Sequence, residues 1–420
     1  LKEVQERVVA VLRMAEALSP KYHVVVANPP YMGRKGMNGQ IADFLNDNYS
    51  DVKSDLFSAF MVRNASMALP MGQMGFMTPF VWMFISSYEK LRVFLTDTKT
   101  ITSLVQLEYS GFDGATVPIC TFTVENSHKP DLLGGFIRLI DFRGAKVQGP
   151  KTLEAAKDPD CGYFYRAKAR DLKAIPGAPI AYWFSKEAFE AFTKSKRLEE
   201  TAKARRGLST GDNEAFIRLW HEVSNYYSSF GANPIIKRWF PYHKGGDFRR
   251  WFVVNWEDKG TNIKNQPAKP SGDRGWRTTS EEFYFRSGIT WTGLTSGSNS
   301  FRYSRPGYLF DTNKGPMMFP DEPDFFNVLG FLNARPTAYF LAALNPTLST
   351  QNEDIDNLPF DRERFPNCEG EVTKLIELSQ SDWDAYETSW DFSTLPLLQP
   401  DHRAETLEGT YTTLRTHWQG

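Results

Sequence analysis

Val4, Val8, Val9, Leu12 and Ala15 recur at helical spacing with charges between them, which predicts a surface helix over residues 1–18. A β-branched run, Val24 to Ala27, follows and stops at Asn28-Pro29-Pro30, the pattern of a buried parallel strand ending in a polar turn. Beyond a loop rich in glycine and lysine (Gly33 to Gly39), Asp55 to Leu69 repeats apolar residues at helical spacing and Gly72 to Thr78 reads as a strand. Glu89 to Thr96 then predicts a helix, and Ile101 to Leu107 and Val117 to Val124 predict strands. Strands alternating with helices predict an α/β sheet covered by helices.

From about Leu139 the pattern loosens into loops, and Asp158 to Pro179 reads as an irregular connection. Residues 185–204 predict one helix with Ser185 as its N-cap, and from Gly207 short aromatic-rich strands such as Arg249 to Val254 alternate with turns. Phe325 to Leu344 returns to helical spacing, and Val372 to Gly420 alternates helices with polar connections. A chain of 420 residues exceeds what one core fills, so the expected division is 1–150, 151–360 and 361–420: an α/β part, a mixed α+β part and a helical acidic tail.

The net charge of -1 conceals a segregation along the chain. Residues 193–310 hold 20 Lys and Arg against 11 Asp and Glu, whereas residues 311–420 hold 7 against 19. A basic block of about +9 suits a phosphate backbone, whose counterions are released as its charges are neutralised; a solvated surface is the plain alternative. No apolar run reaches the roughly 18 residues of a membrane span, so no membrane association is expected. Cys120, Cys161 and Cys368 lie far apart with no CxxC spacing, which predicts a reducing, cytoplasmic setting. The six histidines show no metal-ligand spacing, so no metal is expected. Phosphate-loop, serine-elbow and nuclease patterns are missing as well.

The sharpest chemistry is Asn28-Pro29-Pro30-Tyr31, at the carboxyl end of a predicted strand, where ligands of open α/β sheets bind. Two prolines fix the backbone and remove donors, leaving carbonyls free as acceptors. Asn28 Oδ1 and the Pro29 carbonyl suit the two hydrogens of an adenine N6 amino group, and Tyr31 offers a face on which an extruded base stacks. A proline-rich turn that merely ends a strand is the bland reading of the same residues.

These residues resemble the catalytic motif of the N6-adenine amino-methyltransferases of DNA. The resemblance extends through the helix at Asp55 to Leu69, the strand and turn Gly75-Phe76-Met77-Thr78-Pro79, and Phe112 within Gly111 to Phe122, which matches the family's second base-contacting aromatic. It continues through Gly207 to Asn213, Phe331 to Ala334, Leu344 to Thr347, Asp354 to Pro359 and the closing stretch Asp382 to Phe392, the style of the PglX-type methyltransferases of BREX phage-defence systems. The resemblance implies a Rossmann-like methyltransferase sheet and S-adenosylmethionine as methyl donor. It implies that Asn28, Pro29, Pro30 and Tyr31 are catalytic, that Tyr31 and Phe112 hold the flipped adenine, and that a target-recognition domain over 151–360 meets double-stranded DNA. Arg249, Arg250, Arg302 and Arg305, set among aromatics, are the candidate DNA contacts.

One departure stands out. The family's glycine-rich cofactor turn and ribose-binding acid precede the Asn-Pro-Pro-Tyr motif, yet only 27 residues precede Asn28 and none is glycine. The expectation is therefore a partial sheet, strands four to seven, from the carboxyl-terminal part of a longer enzyme. Asn28 then meets only the methyl end of the cofactor, the rest being a truncation, a separate chain or a real loss; an upstream polypeptide or other defence subunits are expected partners, and the chain alone binds the cofactor weakly and is inactive. Two other readings stay open: a catalytically silent DNA-recognition and assembly subunit, and an RNA or protein amide methyltransferase.

Overall fold

The strand that carries the motif, β1 (Tyr22–Ala27), pairs in parallel with β2 (Ala68–Pro79), so that Val25 faces Met74 and Ala27 faces Phe76. In this computed structural model residues 2–109, 111, 117–230, 237–245, 251–268, 274–295, 299–345, 349–365 and 367–419 are described. With β3 (Thr100–Gln106), β4 (Ile119–Glu125), β5 (Gly134–Arg138) and β6 (Phe164–Ala167) they form a six-stranded mixed sheet in the order β1-β2-β4-β3-β5-β6. β4 inserts antiparallel between β2 and β3, while β3 and β5 run parallel. Helices α1 (Lys2–Leu18), α2 (Gly39–Asn48), α3 (Leu56–Met67), α4 (Glu89–Thr98) and α5 (Ala145–Lys157) complete the α/β pattern.

By compactness the chain divides into residues 1–194 with 342–346, and residues 195–341 with 347–420. The boundary expected at 150 falls inside α5, where Ala155 is buried with Ile137 and Leu139 of the first unit.

The first core is aromatic and centred on β2 and β4: Phe76 and Phe122 face each other at 5.3 Å, and Trp82 lies 5.0 Å from Phe122. Arg92 is only 1% exposed, yet its guanidinium donates to the carbonyls of Trp82, Ile85 and Gly177 at 2.7–2.9 Å. Burial lowers its pKa to about 10, which leaves it charged at neutral pH and makes it a cross-link between the turns after β2 and the 177 loop.

Three sequence expectations need correction. β1 is parallel as predicted but is not buried: it is the edge strand, with Val24 61% and Val26 76% exposed, and α1 buries none of its residues. The apolar runs are real, but no described element covers them. The helix predicted over 185–204 ends at Lys194, because Lys196 and Arg197 instead pair with Phe360 and Pro359 and Leu198 N–H donates to the Leu358 carbonyl at 2.8 Å. The helix predicted over Phe325 to Leu344 is two, Phe325–Asn333 and Arg335–Leu344. Pro336 would clash with the preceding turn of an unbroken helix, and it is tolerated where it stands, in a first turn.

In the second unit one four-stranded sheet runs in the order Ile217–Leu219, Phe252–Asn255, Trp239–His243 and Leu309–Phe310. Another runs Phe301–Ser304, Gly288–Trp291, Met317–Met318 and Ala204–Arg205. Gly207 marks a close approach: a Cβ there would lie 2.1 Å from the Phe310 carbonyl oxygen, so only glycine fits. Longer helices, Glu369–Asp384 and Leu407–Gln419, close the chain, joined by turns at Pro396–Leu398 and Pro400–His402.

Candidate functional site

Parallel pairing brings the carboxyl ends of β1 and β2 side by side, and the Asn28-Pro29-Pro30-Tyr31 turn leaves the sheet there. Pro29 is buried, while Asn28 and Pro30 are exposed and Tyr31 keeps 38% of its surface open. The Tyr31 hydroxyl lies 3.1 Å from Asn28 Oδ1 and 3.2 Å from the Met77 carbonyl of β2, so one phenolic proton bridges the turn and the neighbouring strand. The Tyr31 ring meets Phe57 of α3 edge-on at 6.4 Å. Burial, followed by the nearby Cys120, raises its pKa and keeps the phenol protonated.

The turn is clamped from α3. Asp55 is the N-cap of that helix, its Oδ1 accepting from Phe57 N–H at 3.3 Å and from Met32 N–H at 2.9 Å. The Leu56 N–H returns a bond to the Met32 carbonyl at 3.1 Å, and Gly33 bridges Asp55. One carboxylate thus serves as helix cap and as anchor for the residue after Tyr31. Burial raises its pKa, opposed by hydrogen bonds from Met32, Phe57 and Leu56. From the sequence alone Asp55 is only a helix start. Its place twenty-three residues after Met32 gave no local signal of the clamp.

Asn28, Pro29, Pro30 and Tyr31 are therefore brought together at one strand end. Phe112, Arg249 and Arg250 lie outside the described residues. Arg305 is half-exposed and paired with Asp391 at 2.5 Å. Arg302 is mostly buried, with Nη2 donating to Thr292 Oγ1 at 3.0 Å. Among the described residues no cluster of His, Cys, Asp and Glu is arranged to hold a metal, and no helix is long and apolar enough to cross a membrane.

The charge segregation of the sequence folds back on itself. Carboxylates from the acidic stretch neutralise cations of the basic one: Glu353 on Arg206 at 2.9 Å, Asp311 on Lys244 at 2.6 Å, and Asp391 on Arg305. The closing stretch is also pinned by aromatics. Trp390 lies 4.0 Å from Trp251 and stacks on Phe230 at 4.8 Å, while Trp220 Nε1 donates to the Thr388 carbonyl at 2.7 Å.

Residues 5–112 match the family described as Eco57I restriction-modification methylase. The chain is 35% identical over 416 residues to the adenine-specific methyltransferase PglX of Lacticaseibacillus casei (strain Zhang), covering 95% of this chain and 34% of the relative. It is 33% identical over 411 residues to the adenine-specific methyltransferase BrxX of Escherichia coli O9:H4 (strain HS), covering 95% and 32%. The chain thus spans about a third of the length of these relatives. In fold it is similar to the Type IIL restriction-modification enzyme MmeI in complex with DNA, with a TM-score of 0.54 at 10% identity over 94% of this chain and 53% of that one. A nuclease-deletion mutant of the Type ISP restriction-modification enzyme LlaGI, in complex with a DNA substrate mimic, gives 0.55 at 11% identity over 93% and 38%. With a methylase family match over the Asn-Pro-Pro-Tyr turn and 33–35% identity along nearly its whole length, this chain is similar to the PglX-type adenine-specific methyltransferases.

Proposed function

We propose that this chain provides the adenine-holding loop and the DNA-recognition part of a site-specific DNA adenine N6-methyltransferase of phage defence. The observation that carries the reading is the Asn28 to Tyr31 turn, exposed at paired strand ends and anchored from both sides by Met77 and Asp55. Asn28 Oδ1 and the Pro29 carbonyl accept the two N6 hydrogens of an extruded adenine, turning the nitrogen lone pair outward. The Tyr31 ring replaces part of the stacking the base loses, and Phe112 closes the other face. Methylation needs orientation more than a strong base.

S-adenosylmethionine, when bound, supplies the electrophilic methyl group. Asn28, exposed at the strand end, stands where it would meet that end of it. We assign β1 to β4 to strands four to seven of the methyltransferase sheet. The bare edge of β1 and the uncovered apolar residues of α1 support a covering polypeptide that completes the sheet and the cofactor site. Residues 195–341 and 347–420 meet the duplex, with Arg249 and Arg250 as candidate cations, while Arg305 is answered by Asp391 and Arg302 lines a cavity of the second unit.

Long-read detection of N6-methyladenine in DNA from cells carrying the full gene product tests the reading. Asn28→Ala is expected to remove most methylation while leaving duplex affinity within a few-fold. Wild-type methylation in that variant overturns it.

A further inference from the structure

Helix Glu369–Asp384 and the strand Phe301–Ser304 enclose a cavity of about 630 Å³ in the second unit. That volume lies within the roughly 300–1,000 Å³ of small-molecule sites. Its walls include the indoles of Trp251 and Trp383, whose centroids are 4.7 Å apart, and Tyr308, which stacks on His243 at 4.4 Å. Leu375, exposed on the helix, stands at its rim.

Arg302 lines the same cavity and is out of electrostatic balance. Among the described residues its guanidinium makes one hydrogen bond, to Thr292, and its buried Nε has no acceptor. Among the described residues no carboxylate lies within ion-pairing distance of it, whereas Arg305 three residues on has Asp391. Holding a cation away from water without a counter-charge is costly, and burial accordingly lowers the Arg302 pKa. Neighbouring His243 adds no positive charge: burial, and then the charge of Arg302, push its imidazole down to about 3, and its Nε2 is taken by Ser304 Oγ at 2.7 Å. A planar guanidinium with free donors matches a phosphate in fork geometry. Asp384 lies next to Trp383 in the chain, its Oδ1 accepting from Ser389 Oγ at 2.7 Å, and offers its carboxylate to an exocyclic amine.

We propose that this cavity binds a free nucleotide, with the phosphate on Arg302, the base against the indoles of Trp251 and Trp383, and its amine toward Asp384. The site is built from residues of the second unit and does not depend on the methyltransferase reading. An anionic planar ligand satisfies the buried cation and the aromatic walls together, which neither a neutral aromatic nor a simple anion does.

The test is titration of the full gene product with cytidine 5′-monophosphate and with cytidine, followed by tryptophan fluorescence and calorimetry. The expected result is at least tenfold tighter binding of the monophosphate, with Arg302→Met erasing that difference and leaving cytidine affinity unchanged. Leu375→Trp, at an exposed helix position, is expected to fill the rim and abolish binding with an unchanged melting temperature, which keeps the test decisive if Arg302→Met fails to fold. Failure to bind the monophosphate at millimolar concentration, equal affinity for cytidine, or unaltered discrimination in folded Arg302→Met overturns the proposal. So does retained binding in Leu375→Trp, or binding of a deoxycytidine oligonucleotide alone.

Discussion

The Tyr31 hydroxyl lies 3.1 Å from Asn28 Oδ1, the oxygen proposed to hold the adenine amine. The residue proposed to stack the base thus donates to the acceptor of its own motif. On the proposed reading an adenine amine competes with that hydroxyl for Asn28 Oδ1. A net hydrogen bond of this kind is worth about 0.5–1.5 kcal/mol, whereas stacking a base on an aromatic ring returns about 1–3 kcal/mol. On that reading the exchange favours the bound base, and the Met77 carbonyl at 3.2 Å remains as a second acceptor for the phenol.

Tyr31→Phe and Tyr31→Ala should consequently part company. Phenylalanine keeps the ring and frees Asn28 Oδ1, so steady-state methylation should stay within about threefold of wild type. Alanine loses the stacking face and should lower kcat/KM by about 5- to 150-fold, the range equivalent to 1–3 kcal/mol. Equal loss in both variants would show that the hydroxyl, and not the ring, carries the role.

What the sequence made legible follows from the range of the interactions. The Asn28 to Tyr31 turn, the parallel direction of β1 and the existence of strand β4 depend on local composition and alternation, and all could be read. The end of the helix at Lys194 could not, because it is decided by pairing with Phe360, far along the chain. Nor could the neutralisation of Arg206 by Glu353 and of Arg305 by Asp391, since counting charges along a chain carries no information about which of them fold together. The Asp55 clamp on Met32 was hidden in the same way.

That clamp predicts a pH signature. The Asp55 carboxylate has a pKa raised by burial above its unfolded value of 3.8, so ionising it weakens the fold. Its contribution is fully present below 3.8 and is lost as pH rises through the raised value. Asp55→Asn, which keeps an acceptor without the charge, should melt at or slightly above wild type at pH 7, and the difference should shrink as pH falls toward 3.8. Asp55→Ala leaves the Met32 and Phe57 donors unpaired and should cost about 1–3 kcal/mol. Thermal melts of the three proteins from pH 4 to 8 check both signs.

Trp390 tests the attachment of the closing stretch. Its ring lies 4.0 Å from Trp251 and 4.8 Å from Phe230. Trp390→Ala should cost about 3 kcal/mol and, by releasing the stretch around Ser389, make it the first site of limited proteolysis. Cleavage rates there should rise more than tenfold while the Asn28 turn, in the other unit, stays protected. Unchanged cleavage would mean that the Trp220 bond to the Thr388 carbonyl is enough to hold it.

Salt dependence separates cations that meet DNA from those already spent inside the fold. Each phosphate contact contributes about -0.9 to the slope of log affinity against log salt. Arg206, Lys244 and Arg305 each have a carboxylate partner within 2.9 Å, so the 20 cations of residues 193–310 overstate what is available to a duplex. Reversing charge at Arg249 and Arg250 together should flatten the slope by about two units, one per lost contact. Arg206→Glu should change it by less than one unit, since the wild-type charge is already answered by Glu353. Gel-shift titrations across salt read both numbers. An unchanged slope for the Arg249 and Arg250 pair would leave the basic block as a solvated face and move the search for DNA contacts elsewhere on the second unit.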